Sequence, residues 1–264
     1  MIENKKSKIK FSKQFYIGIK NYSKATSFIF KNNLAWTFLI PIVLNIILFI
    51  VGQAFIINFI DYIKELIINW VNFQDSNFLK GLIGGIITVF IEILFFLVFA
   101  YISGYVVIII MAPVLSYLSE KAEKILTNQV YNSDFKQLVK DIIRGIIIAI
   151  RNLFLELFFV LLMFVISFIP VIGWLGTIVL FFISAYFYGF SFIDYINERK
   201  KLNIQESIAN IRKYKGVAIG NGSIFAVSLL IPFCGSYISL FLVNISIVAA
   251  VISMKEISEI ESNL

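Results

Sequence analysis

The chain has no histidine and a single cysteine, Cys234. An intrachain disulfide is excluded, and the usual zinc sets, Cys–His pairs and Ser–His–Asp triads lack their members. Catalysis would have to use carboxylates, lysines or tyrosines. No constellation of these stands out, so the sequence reads as a non-enzyme with no metal and no cofactor. Charge is also sparse, at 15% of the 264 residues, where a soluble domain carries about 25%. Proline occurs only at positions 41, 113, 170 and 232, so each one is a marker.

Apolar residues fill the space. They make up 59% of the chain, and the mean hydropathy is +0.90. They are gathered into four runs: Leu34–Ile60, Gly81–Leu118 with Glu92 as its one charge, Leu157–Ile193, and Gly216–Met254. A run of 18 or more such residues is a membrane-span candidate, because a hydrocarbon core of about 30 Å needs roughly 20 helical residues. The fold class that follows is all-α, a polytopic membrane protein. Residues 1–33 hold eight lysines and one acid, with Phe11, Phe15, Ile19 and Tyr22 at helical spacing. This is the pattern of an amphipathic segment lying on an anionic leaflet. Residues 34–254 form one membrane domain, and 255–264 a short acidic tail.

The net charge of +7 collects at the edges of the runs, which points to the lipid bilayer and its anionic lipids as partners rather than to nucleic acid. Lys and Arg number eight before Leu34, six between Leu118 and Leu157, and six in Asp194–Gly216, against two in Asp61–Lys80. The positive-inside rule puts the three rich segments, and with them both termini, in the cytoplasm of an inner (plasma) membrane protein. Two full transmembrane helices then cover 34–60 and 81–112. The last two runs, 152–193 and 217–254, must leave and return on one side, so they are helical hairpins. Pro113 marks a kink or restart, after which Val114, Leu115, Leu118, Ala122, Ile125 and Leu126 make one face, with Glu120, Lys121, Glu123 and Lys124 on the rest. "NIQES" from Asn203 reads as an N-cap and its helix, with Gly216 as a cap at the far end.

The hairpins echo one another: "IPVIG" at Ile169–Gly173 returns as "IPFCG" at Ile231–Gly235. The expected tips are Pro170, Gly173, Pro232 and Gly235. Tips this apolar suit the membrane interior better than water. The charge-free rising arms, about 13 and 15 residues, reach roughly 20–23 Å and stop short of a full span. Both hairpins are therefore expected to be re-entrant, although burying Arg151 and Glu156 would lengthen the first.

Four residues are candidates for a substrate or ion path. Glu92 is an isolated carboxylate at mid-depth of its run, a functional hypothesis by default; the bland reading is a protonated acid bonded to a neighbouring helix. Arg144 and Arg151 continue a basic stripe with Lys136 and Lys140 into the membrane. They could serve an anion, or simply snorkel and pair locally with Glu156. Asn45 lies inside the first run, where an amide more often bonds helix to helix. The glycines of "GLIGG" and "GVAIGNG" are expected to permit close helix packing.

Several stretches resemble the CysZ-like sulfate permease family, with its etoposide-induced-protein branch. They are "IPIVLNIILF" at Ile40–Phe49, "MAPVLSYLSEKAEKILT" from Met111, and "FIPVIGWLGTIVLFFISAYFYGFSFIDY" from Phe168, in which Ser184, Ala185, Asp194 and Tyr195 fall in register. The resemblance implies an inner-membrane fold of two full helices and two partly penetrating hairpins, assembled as a homo-oligomer. It also implies transport of sulfate or another small anion. Ala35 and Trp36 stand where the sulfate-transporting branch carries paired arginines. The alternative function is a non-transporting scaffold that inserts its hairpins and binds anionic lipid.

Overall fold

A computed structural model describes residues 9–43, 46, 62, 85, 104–128, 135–166, 172–231 and 234–263. Among these, all regular structure is helical, which agrees with the all-α expectation. The elements are α1 (Phe11–Lys31), a 3₁₀ turn (Ala35–Phe38), α2 (Ala112–Thr127), α3 (Phe135–Ile166), α4 (Ile172–Arg199), α5 (Ile204–Lys213), α6 (Lys215–Leu229) and α7 (Gly235–Ser262). A short helical segment, Gly104–Ile110, leads into α2 through a 69° bend. Pro113 sits in the first turn of α2, where its missing N–H costs no hydrogen bond, so the restart expected there is found. Most of the two expected full transmembrane helices, 34–60 and 81–112, lies outside the described residues, as do Asn45, Glu92, Pro170 and Pro232.

The centre of the molecule is α6, packed between α1 on one side and α4 on the other. Glycine makes this possible. A Cβ at Gly220 would strike the Phe15 carbonyl, and one at Gly216 would lie 2.7 Å from the Phe11 carbonyl oxygen, both on α1. On the opposite side, Gly222 meets the Ala185 carbonyl, and Gly189 of α4 meets the Ala218 carbonyl. The "GVAIGNG" glycines thus serve close helix packing, as expected. Gly85, the described glycine of "GLIGG", has nothing within 4 Å. Aromatic rings bind the same block to its neighbours. Tyr105 lies 5.0 Å from Tyr188, Tyr188 5.1 Å from Phe225, and Phe192 5.4 Å from Phe225, centre to centre.

Among the described residues, three helices are long and apolar enough to cross a membrane: Ile142–Met163 in α3, Leu175–Arg199 in α4 and Tyr237–Ser262 in α7. The outward face of α3 is a continuous stripe of exposed Ile143, Ile147, Ile150, Phe154, Phe158, Leu161 and Val165. The arm of about 13 residues read from the sequence is therefore too short. The lipid-ready stripe starts 14 residues earlier because Arg144, Arg151 and Glu156 are turned away from it. By contrast α6 has only 15 residues, about 22 Å of helix. Gly173 lies in the first turn of α4. Gly235 opens α7, and a Cβ there would sit 2.7 Å from the carbonyl oxygens of Ser228 and Leu229, so the second turn is tight enough to require glycine.

Two local expectations need correction. Gly216 does not cap α5. That helix begins with Asn203 and Glu206 in a reciprocal capping box, as expected, but ends at Lys213. Gly216 belongs to the first turn of α6, where its N–H donates to Gln14 Oε1 at 3.1 Å; a side chain of α1 thereby satisfies one of that helix end's orphan donors. Glu123 is not on the solvated face of α2. It is buried and receives Arg199 Nε, while Arg199 Nη2 donates to Ser119 at 2.5 Å. Helical periodicity carries no information about a partner 76 residues away.

Candidate functional site

α3 and α4 pack antiparallel, and their facing sides carry a row of buried polar groups. On α3, Asn152 and Glu156 are one turn apart and point the same way, because positions four apart share a face. On α4, Ser184, Phe187, Tyr188 and Ser191 do the same. The antiparallel register then matches them as rungs. Asn152 Nδ2 donates to Ser191 Oγ at 3.0 Å and to the Phe187 carbonyl at 3.3 Å. One turn further along, Ser184 donates to Glu156 Oε1, and Tyr105 from the segment before α2 donates to Glu156 Oε2. Glu156 is 1% exposed, and its described partners are these two hydroxyls.

The base of the ladder is ionic. Arg144 forms a fork on Asp194, Nε to Oδ2 and Nη2 to Oδ1, each at 3.1 Å, and its Nη1 reaches the Leu202 carbonyl at 2.6 Å. Such a bidentate pair fixes orientation as well as charge. Ser207 of α5 also donates to Asp194, and Asn197 Nδ2 donates to Ser207 at 2.9 Å. The close fit continues at Gly145, where a Cβ would lie 2.5 Å from the Tyr195 hydroxyl. From Arg144 to Glu156 is 12 residues of α3, about 18 Å of helix, a length more than half the thickness of a hydrocarbon core of about 30 Å.

Arg151 stands beside the ladder. Its guanidinium lies 5.6 Å from the Phe190 ring centre, and Nη1 donates to Asn152 Oδ1 at 3.3 Å. Among the described residues it meets no carboxylate. On the other side of the ladder, a cavity of about 80 Å³ between α4 and α6 is lined by Thr177, Ser184 and Tyr188 with the apolar Phe181, Ala226 and Leu229. It has room for a few waters, and Ser184 connects it to Glu156.

The structure thus separates two residues that the sequence treats as a pair. Arg144 is held by Asp194, and Arg151 packs on an aromatic ring; neither is on Glu156. Ser184, Asp194 and Tyr195 were visible in the sequence only through the family resemblance, without a role. Away from the hairpin, Tyr22 of α1 bonds the Asn221 carbonyl at 2.6 Å and Ser246 at 2.7 Å. Burial pushes its hydroxyl above the usual tyrosine range, so it stays protonated in this tie. Among the described residues, no cluster of acidic or cysteine side chains could hold a metal ion.

The molecule is an all-α integral membrane protein whose apolar helices enclose a polar seam. Its sequence matches the family described as "Sulfate transporter CysZ/Etoposide-induced protein 2.4" over residues 21–238. The chain belongs to that family, which by its description is one of transporters rather than enzymes. Among curated proteins it is similar to the sulfate transporter CysZ of two Pseudomonas aeruginosa strains. The identity is 24% over 200 residues, covering 74% of this chain and 78% of the relative.

Proposed function

We propose that this protein moves a small oxyanion of the sulfate type across the cell's inner membrane. Family membership and the name of the Pseudomonas relatives support this over a scaffold without transport. The observation in this chain that carries the reading is Arg151. It lies nine residues into the apolar span that starts at Ile142, about 13 Å along the helix, with no described carboxylate to neutralise it. An ionisable group at that depth is expensive and marks function by default. An anion passing along the α3–α4 seam would meet this guanidinium first.

Arg144, already matched by Asp194, acts in this reading as the fixed foot of the seam. Glu92 and Asn45 remain proposed contributors to the path. Cytoplasmic termini, homo-oligomeric assembly and re-entry of the second hairpin belong to the same proposal. The 15 residues of α6 favour re-entry there more than the 22-residue span of α3 does in the first hairpin.

Radioactive sulfate uptake into proteoliposomes tests the reading. Wild-type protein should exceed empty vesicles, and Arg151→Gln should lower uptake about tenfold or more, the worth of one charge-assisted hydrogen bond. Absence of uptake by folded wild-type protein at every pH would refute transport of sulfate.

A further inference from the structure

At the base of the first hairpin a groove of about 620 Å³ opens between α3 and α5. Its floor is apolar, made by Ile143, Ile147 and Ile204, which are 51%, 50% and 41% exposed. Its rim carries Lys140 and Arg144. The groove lies where the apolar span begins, at Ile142, so its apolar floor continues directly into the lipid-ready stripe of α3. The charges on the rim are not equivalent. Arg144 is neutralised by Asp194 and tied to the Leu202 carbonyl. Lys140 is exposed and, among the described residues, has no carboxylate partner. The turn that brings α5 back to the groove is itself basic, Lys200–Lys201, with Lys201 at φ 57°.

One unneutralised cation above a strip of isoleucines at the end of a membrane span fits an amphiphile whose head is anionic and whose body is hydrocarbon. A free inorganic anion would gain nothing from the floor, and a zwitterionic head would bring its own cation against Lys140. We propose that this groove is a binding site for one anionic phospholipid, with its phosphate on Lys140 and its first acyl carbons on Ile143, Ile147 and Ile204. The inference rests on the membrane placement of the chain and not on anion transport, because bound lipid is read without any flux.

Native mass spectrometry of the full chain, mixed with equal phosphatidylglycerol and phosphatidylcholine, tests it. Wild-type protein should retain one phosphatidylglycerol in preference to phosphatidylcholine. Lys140→Gln should lower that occupancy roughly fivefold, the effect of one basic residue at an anionic surface. Lys121→Gln, at an exposed lysine of α2 outside the groove, should leave it unchanged. Ile147→Ser, which removes part of the floor, should lower retention of both lipids. Unchanged phosphatidylglycerol occupancy in Lys140→Gln would overturn the proposal. So would loss of a second protein copy instead of a lipid, which would make the groove a chain–chain contact.

Discussion

Replacing Asp194 by alanine should destabilise this protein more than any substitution on its surface. Asp194 is 3% exposed and Arg144 17%. The change removes an acceptor that receives two guanidinium bonds and the Ser207 hydroxyl. Arg144 keeps the Leu202 carbonyl but loses its counter-charge. Breaking a buried pair by deleting one member costs about 3–5 kcal/mol, because the remaining charge stays desolvated. Solvent reaches part of Arg144, so the lower end, about 3 kcal/mol, applies. In a chain of this size that lowers the melting midpoint by on the order of 6–12 °C. The assay is thermal unfolding in one detergent, read by tryptophan fluorescence together with loss of the monodisperse elution peak. The double variant Arg144→Met with Asp194→Leu supplies the control. Removing both charges should restore a good part of the loss, since a buried pair and an apolar pair of similar volume are often comparable. If Asp194→Ala melts within about 2 °C of wild type, or if the double variant shows the plain sum of the two single losses, the pair is not the foot of the hairpin.

Other substitutions separate packing from path. Gly222→Val places a branched side chain on the Ala185 carbonyl; backbone cannot move aside, so correctly folded yield after purification should collapse, whereas Gly85→Ala, with open space around it, should purify like wild type. Glu123→Ala strands Arg199 beside Ser119 and should cost about 3 kcal/mol, read as a lower midpoint with unchanged specific sulfate uptake per folded molecule. Glu92→Gln should change the rate of uptake or its pH dependence; identical profiles would remove that carboxylate from the path.

Much of the architecture was legible from patterns that a single helix displays. The all-helical class, the restart at Pro113, the Asn203 cap and the packing role of the Gly216–Gly222 stretch all follow from local composition and spacing. What escaped depends on which helices become neighbours. Glu123 reads as a surface acid until Arg199 arrives from α4. Gly216 reads as a helix stop until Gln14 from α1 supplies its acceptor. The charge-free length of the first rising arm misleads for the same reason. Arg144 and Glu156 do not interrupt a membrane face when α4 presents Asp194 and Ser184 to receive them. The sequence groups Arg151 with Arg144 on one basic stripe, and their distinction needed the partners of both.

The glycine contacts around α6 have a mechanical consequence. Where two helices touch through side chains, rotamer changes can absorb a slide of one past the other. Where carbonyl oxygens rest against Cα atoms, as at Gly220 on α1 and Gly222 on α4, there is no such slack. Helices α1, α6 and α4 are therefore locked together as one rigid block. α3 is different: it meets α4 through Phe159 on Phe187 and through hydrogen bonds from Asn152 and to Glu156, contacts made by side chains that have such slack. α3 is thus a helix whose contacts with this block can give without moving a backbone, and the Arg144–Asp194 fork is the firmest of them.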